Sequence, residues 1–557
     1  MRKFITFLLC LGCVFTVSVN AVQKESISVM ANTLDRYTFG DWVYFLNSQD
    51  NYITIVSYKG SEEDVSIPSE IDGVPVTTIN DGALKNCTTI KNLTIPDTVT
   101  TIGNGAFYSC TSLESVTIPN SVTNIKARAF IWCSSLKSVT LPEGLESISS
   151  TMFEFCTSLT DVNIPSSVKY IGDCAFKSCS ALTSVDIPNG VESISSATFQ
   201  YCSALESITF PTGLKSIGTN AFYGCDALTD VEFPSSLETI GIASFEHCEN
   251  LKNITLNDGL ETICNSAFSY CYQLQDVTLP DSLVTLDSSA FNNCKSFVNV
   301  VIPDSVTYLG NGVFSSCINL QSITLSKNIT EIPDALLNND KLITQVDIPK
   351  GVTRIGKDAF YGTSITECNV PEGVTYIGVN AFGYCQQLER LSLPTTLKII
   401  DNTAFEWCNS IDTLTLPDGL ESIGDKAFFG CSADNELIVP SSVKTIGSQA
   451  FYYCKSFKNV TFLGNPILGD KSFGYCPEYE DELLPEFSVS GTYGNVSRYC
   501  QTNGIEFVNT GKSLDVNLDG KVDVLDCVTL KQQILSGKTE LSTLDLLTLK
   551  RYLFSLD

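Results

Sequence analysis

The sequence predicts a repeat solenoid of about 18 turns of 23 residues, built from short parallel strands, with a small all-α module at its C-terminal end. Three observations carry that reading. Cysteines stand 23 residues apart from Cys87 to Cys317 and resume from Cys385 to Cys476. An apolar pattern, Leu-x-x-Val-x-Ile-Pro and then Ile-x-x-x-Ala-Phe-x-x-Cys, travels with them. Beyond residue 513 both features stop, and a loop rich in Asp and Asn leads into helical sequence.

The first element, residues 1–21, reads as a secretory signal. Arg2 and Lys3 form a charged start, Phe4 to Val19 is an apolar or small run, and Val19-Asn20-Ala21 is a small-x-small cleavage site. The alternative is a membrane anchor, but a spanning helix needs about 20 apolar residues and no stop-transfer pattern follows. The residues before Cys13 make a poor lipobox. The expected location is therefore extracellular, or at a cell surface through protein–protein contact. A formal charge of −28, from 34 basic and 62 acidic side chains, argues against nucleic acid or an anionic membrane as partner. A hydrophobic content of 43% is enough to build a core.

The solenoid is assigned to residues 65–476, with caps at 22–64 and 477–509. In Leu113-x-x-Val116-x-Ile118-Pro119 the alternating apolar residues form a strand that the proline ends. Val122 and Ile125 point inward on the next leg, Ala129 and Phe130 fill the centre, and Cys133 closes the turn. One turn cannot bury these groups alone, so neighbours must stack. Equivalent cysteines would lie ~4.8 Å apart with parallel side chains, too far for disulfides, and their spacing is not that of zinc pairs. A ladder of buried thiols is expected. Cys174, Cys264, Cys368, Cys500 and Cys527 show no pairing that sequence can assign.

These repeats resemble the BspA-like class of bacterial leucine-rich repeats, over most of the chain. The resemblance extends to the caps. Trp42 to Leu46 and Tyr52 to Ser57 read as a strand pair around Asn47–Asn51, and Gly491 to Val508 looks like a closing cap.

After a linker at 510–513, the segment 514–557 begins with Asp515, Asn517, Asp519, Asp523 and Asp526 at loop positions 1, 3, 5, 9 and 12, with Gly520 at position 6. Lys521 would offer its carbonyl at position 7. Calcium takes six to eight oxygens on such a tightly curled loop, so one Ca²⁺ is expected here. Asp at position 12 and the absence of an entering helix resemble the type I dockerin. That module binds a cohesin on a scaffold of the cellulosome kind, in complexes for polysaccharide breakdown. The resemblance implies cohesin contacts from Val524, Leu525, Lys531, Gln532, Lys550 and Arg551. The second helix fits the family pattern, but its loop, Gly537 to Asp545, lacks the ligand run. Val524 and Leu525 also replace a usual Ser-Thr.

No catalytic set is predicted. The single histidine, His247, has no nucleophile–acid partnership that sequence supports. Asp161, Asp230, Asp276 and Glu367 share one strand position but read as solvated acids. A row of aromatics just before the ladder cysteine is the candidate ligand stripe: Trp132, Phe155, Tyr201, Tyr270, Tyr384, Trp407, Tyr453 and Tyr475. Such rings can anchor a protein or stack on a glycan, or simply pack on one another. The expected function is a non-catalytic interaction protein carried on a cohesin-bearing complex. A free adhesin or inhibitor with a vestigial dockerin, or an accessory to a polysaccharide hydrolase, is the alternative.

Overall fold

The computed structural model describes residues 35–433, 436–476, 483–484, 486–492, 494–510, 529 and 531–532. The chain divides into two compact units, Met1–Phe268 and Ser269–Asp557.

In the first unit, the strands Arg36–Phe39, Trp42–Asn47 and Tyr52–Tyr58 form an antiparallel cap. The Asn47 side-chain oxygen accepts the amides of Gln49 and Asp50, and Asn51 adopts φ 52°, which together bend the hairpin. Tyr52–Tyr58 then pairs in parallel with Val74–Ile79 and passes the cap's register to the repeats. Three-residue strands follow one per turn: Asp64–Ser66, Asn92–Thr94, Ser115–Thr117, Ser138–Thr140 and Asp161–Asn163 form one parallel sheet. In each, only the middle residue is buried. The proline two residues beyond ends the strand, and its carbonyl accepts the amide three residues on, as Pro119 does from Val122 at 3.0 Å.

The sequence placed strands on one side of each turn; the structure has them on two. Two-residue strands such as Asn124–Ile125, Ser147–Ile148 and Tyr170–Ile171 form a second row, with their isoleucines buried. Main-chain donors on this leg pair with the preceding turn, as the Lys126 amide does with the Ile102 carbonyl at 2.9 Å.

The second unit repeats both rows. Glu331–Ile332, Arg354–Ile355, Tyr376–Ile377, Ile399–Ile400, Ser422–Ile423, Thr445–Ile446 and Ile467–Leu468 form a seven-stranded parallel sheet. It closes on a four-stranded parallel sheet, Glu436–Val439, Asn459–Phe462, Ser488–Gly491 and Glu506–Asn509. The helix Asn495–Asn503, not foreseen from sequence, lies between the last two strands and buries Val496, Tyr499 and Cys500. Gly504 ends it in the left-handed conformation, φ 68°.

A phenylalanine stack runs through each core. In the first unit the rings of Phe153, Phe176, Phe199 and Phe222 repeat at 5.4 Å between centroids. In the second, Phe382, Phe405, Phe428 and Phe451 repeat at 5.1 Å. The cysteine beside each phenylalanine has a defined task. The carbonyl of Phe107 accepts the Cys110 amide of its own turn and the Cys133 thiol of the next, both at 3.2 Å. The same link recurs from Cys156 to Phe130, from Cys179 to Phe153 and from Cys408 to Phe382. The thiol thus fills a second lone pair on a buried carbonyl that water cannot reach.

Asp340 and Thr363 occupy two ladder positions of the second unit. Thr363 donates to the Phe360 carbonyl at 2.8 Å and meets the Cys385 sulfur at 3.3 Å. Asp340 is fully buried, and neither carboxyl oxygen has a hydrogen-bond partner.

Candidate functional site

The third side of each turn is a tight segment with two left-handed residues. In one turn these are Arg128 (φ 62°) and Trp132 (φ 64°). Their amides, and that of Phe130 between them, donate to Ser150, Glu154 and Met152 of the next turn at 2.9–3.2 Å. Left-handed backbone costs a non-glycine residue roughly 1 kcal/mol, so Gly and Asn suit it. The position before the ladder residue accordingly holds Asn86, Gly224, Asn293, Gly362 and Gly430 in some turns. Elsewhere it holds the candidate rings, each bearing this cost: Phe155, Tyr201, Tyr270, Tyr384, Trp407 and Tyr453 all lie between φ 59° and 63°. Trp132 and Tyr201 are nearly half exposed, at 44% and 47%.

The structure puts these rings in both packing and open roles. In the first unit Trp132 stacks on Phe155 at 4.1 Å. The next turn places Ser178 in the row, and Tyr201 follows, edge-on to Tyr223 at 5.3 Å. Tyr223 in turn meets the His247 ring at 5.4 Å. A groove of about 560 Å³ opens here, with Phe155, Ser178, Tyr201, Asp226, His247 and Glu249 in its lining. Glycine permits it: a Cβ on Gly224 would fall 2.9 Å from the Tyr201 ring. Burial and then the neighbouring Glu249 raise the Asp226 carboxyl above its usual range, with His247 opposing. His247 Nδ1 stands 3.8 Å from Glu249.

In the second unit Trp407 lies over Gly430 and reaches Tyr453, two turns on, at 5.4 Å. Tyr384 meets Tyr361 at 5.4 Å, and Tyr270 meets Tyr272 edge-on at 6.1 Å. Tyr475 differs from the others: it is buried, and its hydroxyl donates to Asn503 of the closing helix at 2.7 Å. Lysines cover several rings. Lys295 lies 4.1 Å from the Tyr272 ring centre and Lys455 4.5 Å from that of Tyr453. Both lysines stand one residue after a ladder cysteine. Sequence reading missed that row, although its change from Thr157, Ser180 and Ser203 to Asp226, Glu249 and then Lys295 is plain in the repeats.

The strand-face acids are tied to their neighbours. Asp230 accepts the Asn253 amide at 2.6 Å, and Arg390 contacts Glu367 at 2.6 and 3.1 Å. These bonds hold both carboxyls below the usual range. A general acid for glycoside cleavage needs the opposite shift.

The expected calcium ligands Asp515, Asn517, Asp519, Lys521, Asp523 and Asp526 lie outside the described residues, as do Val524, Leu525, Lys550 and Arg551. Lys531 and Gln532 are described; both are helical and exposed. Among the described residues, no group of three or more His, Cys, Asp or Glu is placed to hold a metal ion. No helix among them is long and apolar enough to cross a membrane.

A leucine-rich repeat protein from Bacteroides ovatus shares the fold at TM-score 0.53, with 23% identity over 82% of this chain and 99% of its own. A leucine-rich cell surface protein from Faecalibacterium prausnitzii is 29% identical over 68% of this chain and 93% of its own, at TM-score 0.41. A T. pallidum leucine-rich repeat protein is 33% identical over 35% of this chain and 91% of its own, at TM-score 0.33. A search of curated protein sequences found no match. The profile of the BspA-type leucine-rich repeat region matches residues 57–183, 170–296, 261–389 and 375–502, the same span in which the thiol and phenylalanine ladders were found. Matched over most of its length, the chain belongs to the BspA-type leucine-rich repeat family.

Proposed function

We propose that this is a secreted, non-catalytic interaction protein whose solenoid captures a protein or glycan partner through its aromatic stripe. In this reading a C-terminal dockerin-like module, with one calcium ion, fastens it to a cohesin-bearing complex for polysaccharide breakdown. The observation that carries the first half is Tyr201. It is a large ring in a backbone conformation suited to glycine, 47% exposed beside an open groove. Every turn imposes that conformation, so the exposure of the ring beside the groove is what points to a role outside packing. The second half rests on the loop spacing of Asp515, Asn517, Asp519, Asp523 and Asp526.

Both halves are open to one set of measurements on the full chain. A cognate cohesin should be retained in calcium, and lost with chelator or with Asp515→Ala plus Asp519→Ala. Calorimetry should give one calcium per chain. Cohesin binding that survives the double substitution would remove the calcium loop from the account. Partner capture without any cohesin binding would leave a free surface adhesin or inhibitor. Trp132→Ala, Tyr201→Ala and Trp407→Ala together should abolish partner capture; unaltered capture would remove the stripe.

A further inference from the structure

The position one residue after the ladder cysteine decides what faces the rings. Where it is Lys295 or Lys455, the ammonium group sits over a tyrosine of this chain. Lys85 over Tyr108 at 4.7 Å and Lys471 over Tyr475 at 5.6 Å do the same from other positions. The protein thus repeatedly sets a cation over a tyrosine ring. At the first-unit groove the same row supplies Asp226 and Glu249, opposite in charge, in a lining shared with Tyr201 and Phe155.

We propose that this groove binds a lysine or arginine side chain of a partner protein, with Tyr201 and Phe155 meeting its stem and charge and Asp226 and Glu249 pairing with its head. This names the ligand class for the stripe and rests on the reading of the stripe as a binding face. Charge complementarity favours it. After burial, Glu249 raises the Asp226 carboxyl, with His247 opposing, and a cation beside both carboxylates relieves that repulsion. Ser178, in place of a ring at that position of the stripe, leaves room for a long unbranched stem. A net charge of −28 draws basic partners from a distance.

The test uses the full chain and an amidated, N-acetylated hexalysine peptide, followed by fluorescence anisotropy. Wild type should bind it, and binding should weaken with salt. Asp226→Asn with Glu249→Gln should weaken it about tenfold or more, as should Tyr201→Ala, with the thermal transition unchanged. The control Glu143→Gln with Glu192→Gln removes the same charge from exposed positions outside the groove and should leave affinity within about twofold. An equal loss in the control would reduce the effect to net charge and overturn the proposal. So would equal binding of a peptide with acetylated lysines, or binding of maltohexaose at the groove in place of hexalysine. Failure of hexalysine with partner capture still lost in the triple ring variant would sink the ligand class and leave the stripe.

Discussion

Replacing Asp340 by cysteine restores the thiol ladder at the one position where a carboxyl interrupts it. Asp340 is fully buried and its oxygens are unpartnered, so burial raises its pKa well above the usual carboxylate range. The Cys317 main chain opposes that rise, and the Cys317 thiol is itself raised by burial and further by Asp340. The sign follows from linkage. With the folded value raised, the proton is held more tightly in the folded state. Asp340 is therefore tolerated below the ordinary carboxylate pKa. Above it, stability falls by about 1.4 kcal/mol per pH unit until the folded value is passed. An unsatisfied buried polar group alone costs roughly 1–3 kcal/mol, and more when charged. Asp340→Cys should therefore raise the unfolding free energy of the second unit by about 2 kcal/mol or more at pH 7.5, and by much less at pH 4.5. In a unit of this size, 2 kcal/mol is roughly 4–8 °C in Tm. Urea unfolding of wild type, Asp340→Cys and the exposed control Asp347→Asn at both pH values measures it. A gain equal at the two pH values, or a loss at pH 7.5, would refute the reasoning.

Four further outcomes are expected. Phe176→Ala removes a ring stacked on both neighbours and should cost about 3–5 kcal/mol in denaturant unfolding. Burial raises the ladder thiols of Cys202 and Cys385 to about 12, so at pH 8 peptide-level mass spectrometry should find iodoacetamide on half-buried Cys87 and Cys174 long before Cys202. Because those folded values are raised, the ladder's stability should be intact below the ordinary thiol pKa and decline as pH climbs from 9 toward 12. Gly430→Ala forces a Cβ to 2.7 Å from the Trp407 ring at φ 72° and should destabilise by about 1–2 kcal/mol, whereas Gly144→Ala, with open space around it, should be nearly neutral.

The turn and its contents were legible because a repeat copies each local decision many times. Val116, Ile118, Val122, Ile125, Ala129, Phe130 and Cys133 were read as inward residues, and all are buried. The second strand row was not legible. Asn124–Ile125 is too short for an alternating pattern, and it becomes a strand only because the preceding turn offers it partners. The closing helix was missed because Asn495–Asn503 is polar and short, and it is held by the strands beside it.

By itself, then, the sequence determined the period, the core phenylalanines, the thiol ladder as a set of small buried donors, and membership of a repeat family, since each follows from residue type at a repeated spacing. Only the tertiary structure decided what the rows of surface residues do. Trp132 packs on Phe155 while Tyr201 borders a groove, and Lys295 covers a ring where Asp226 and Glu249 bound an opening. Those outcomes depend on which side chains adjacent turns bring within a few ångströms. Residues 23 apart in the chain become neighbours only after the turns have stacked.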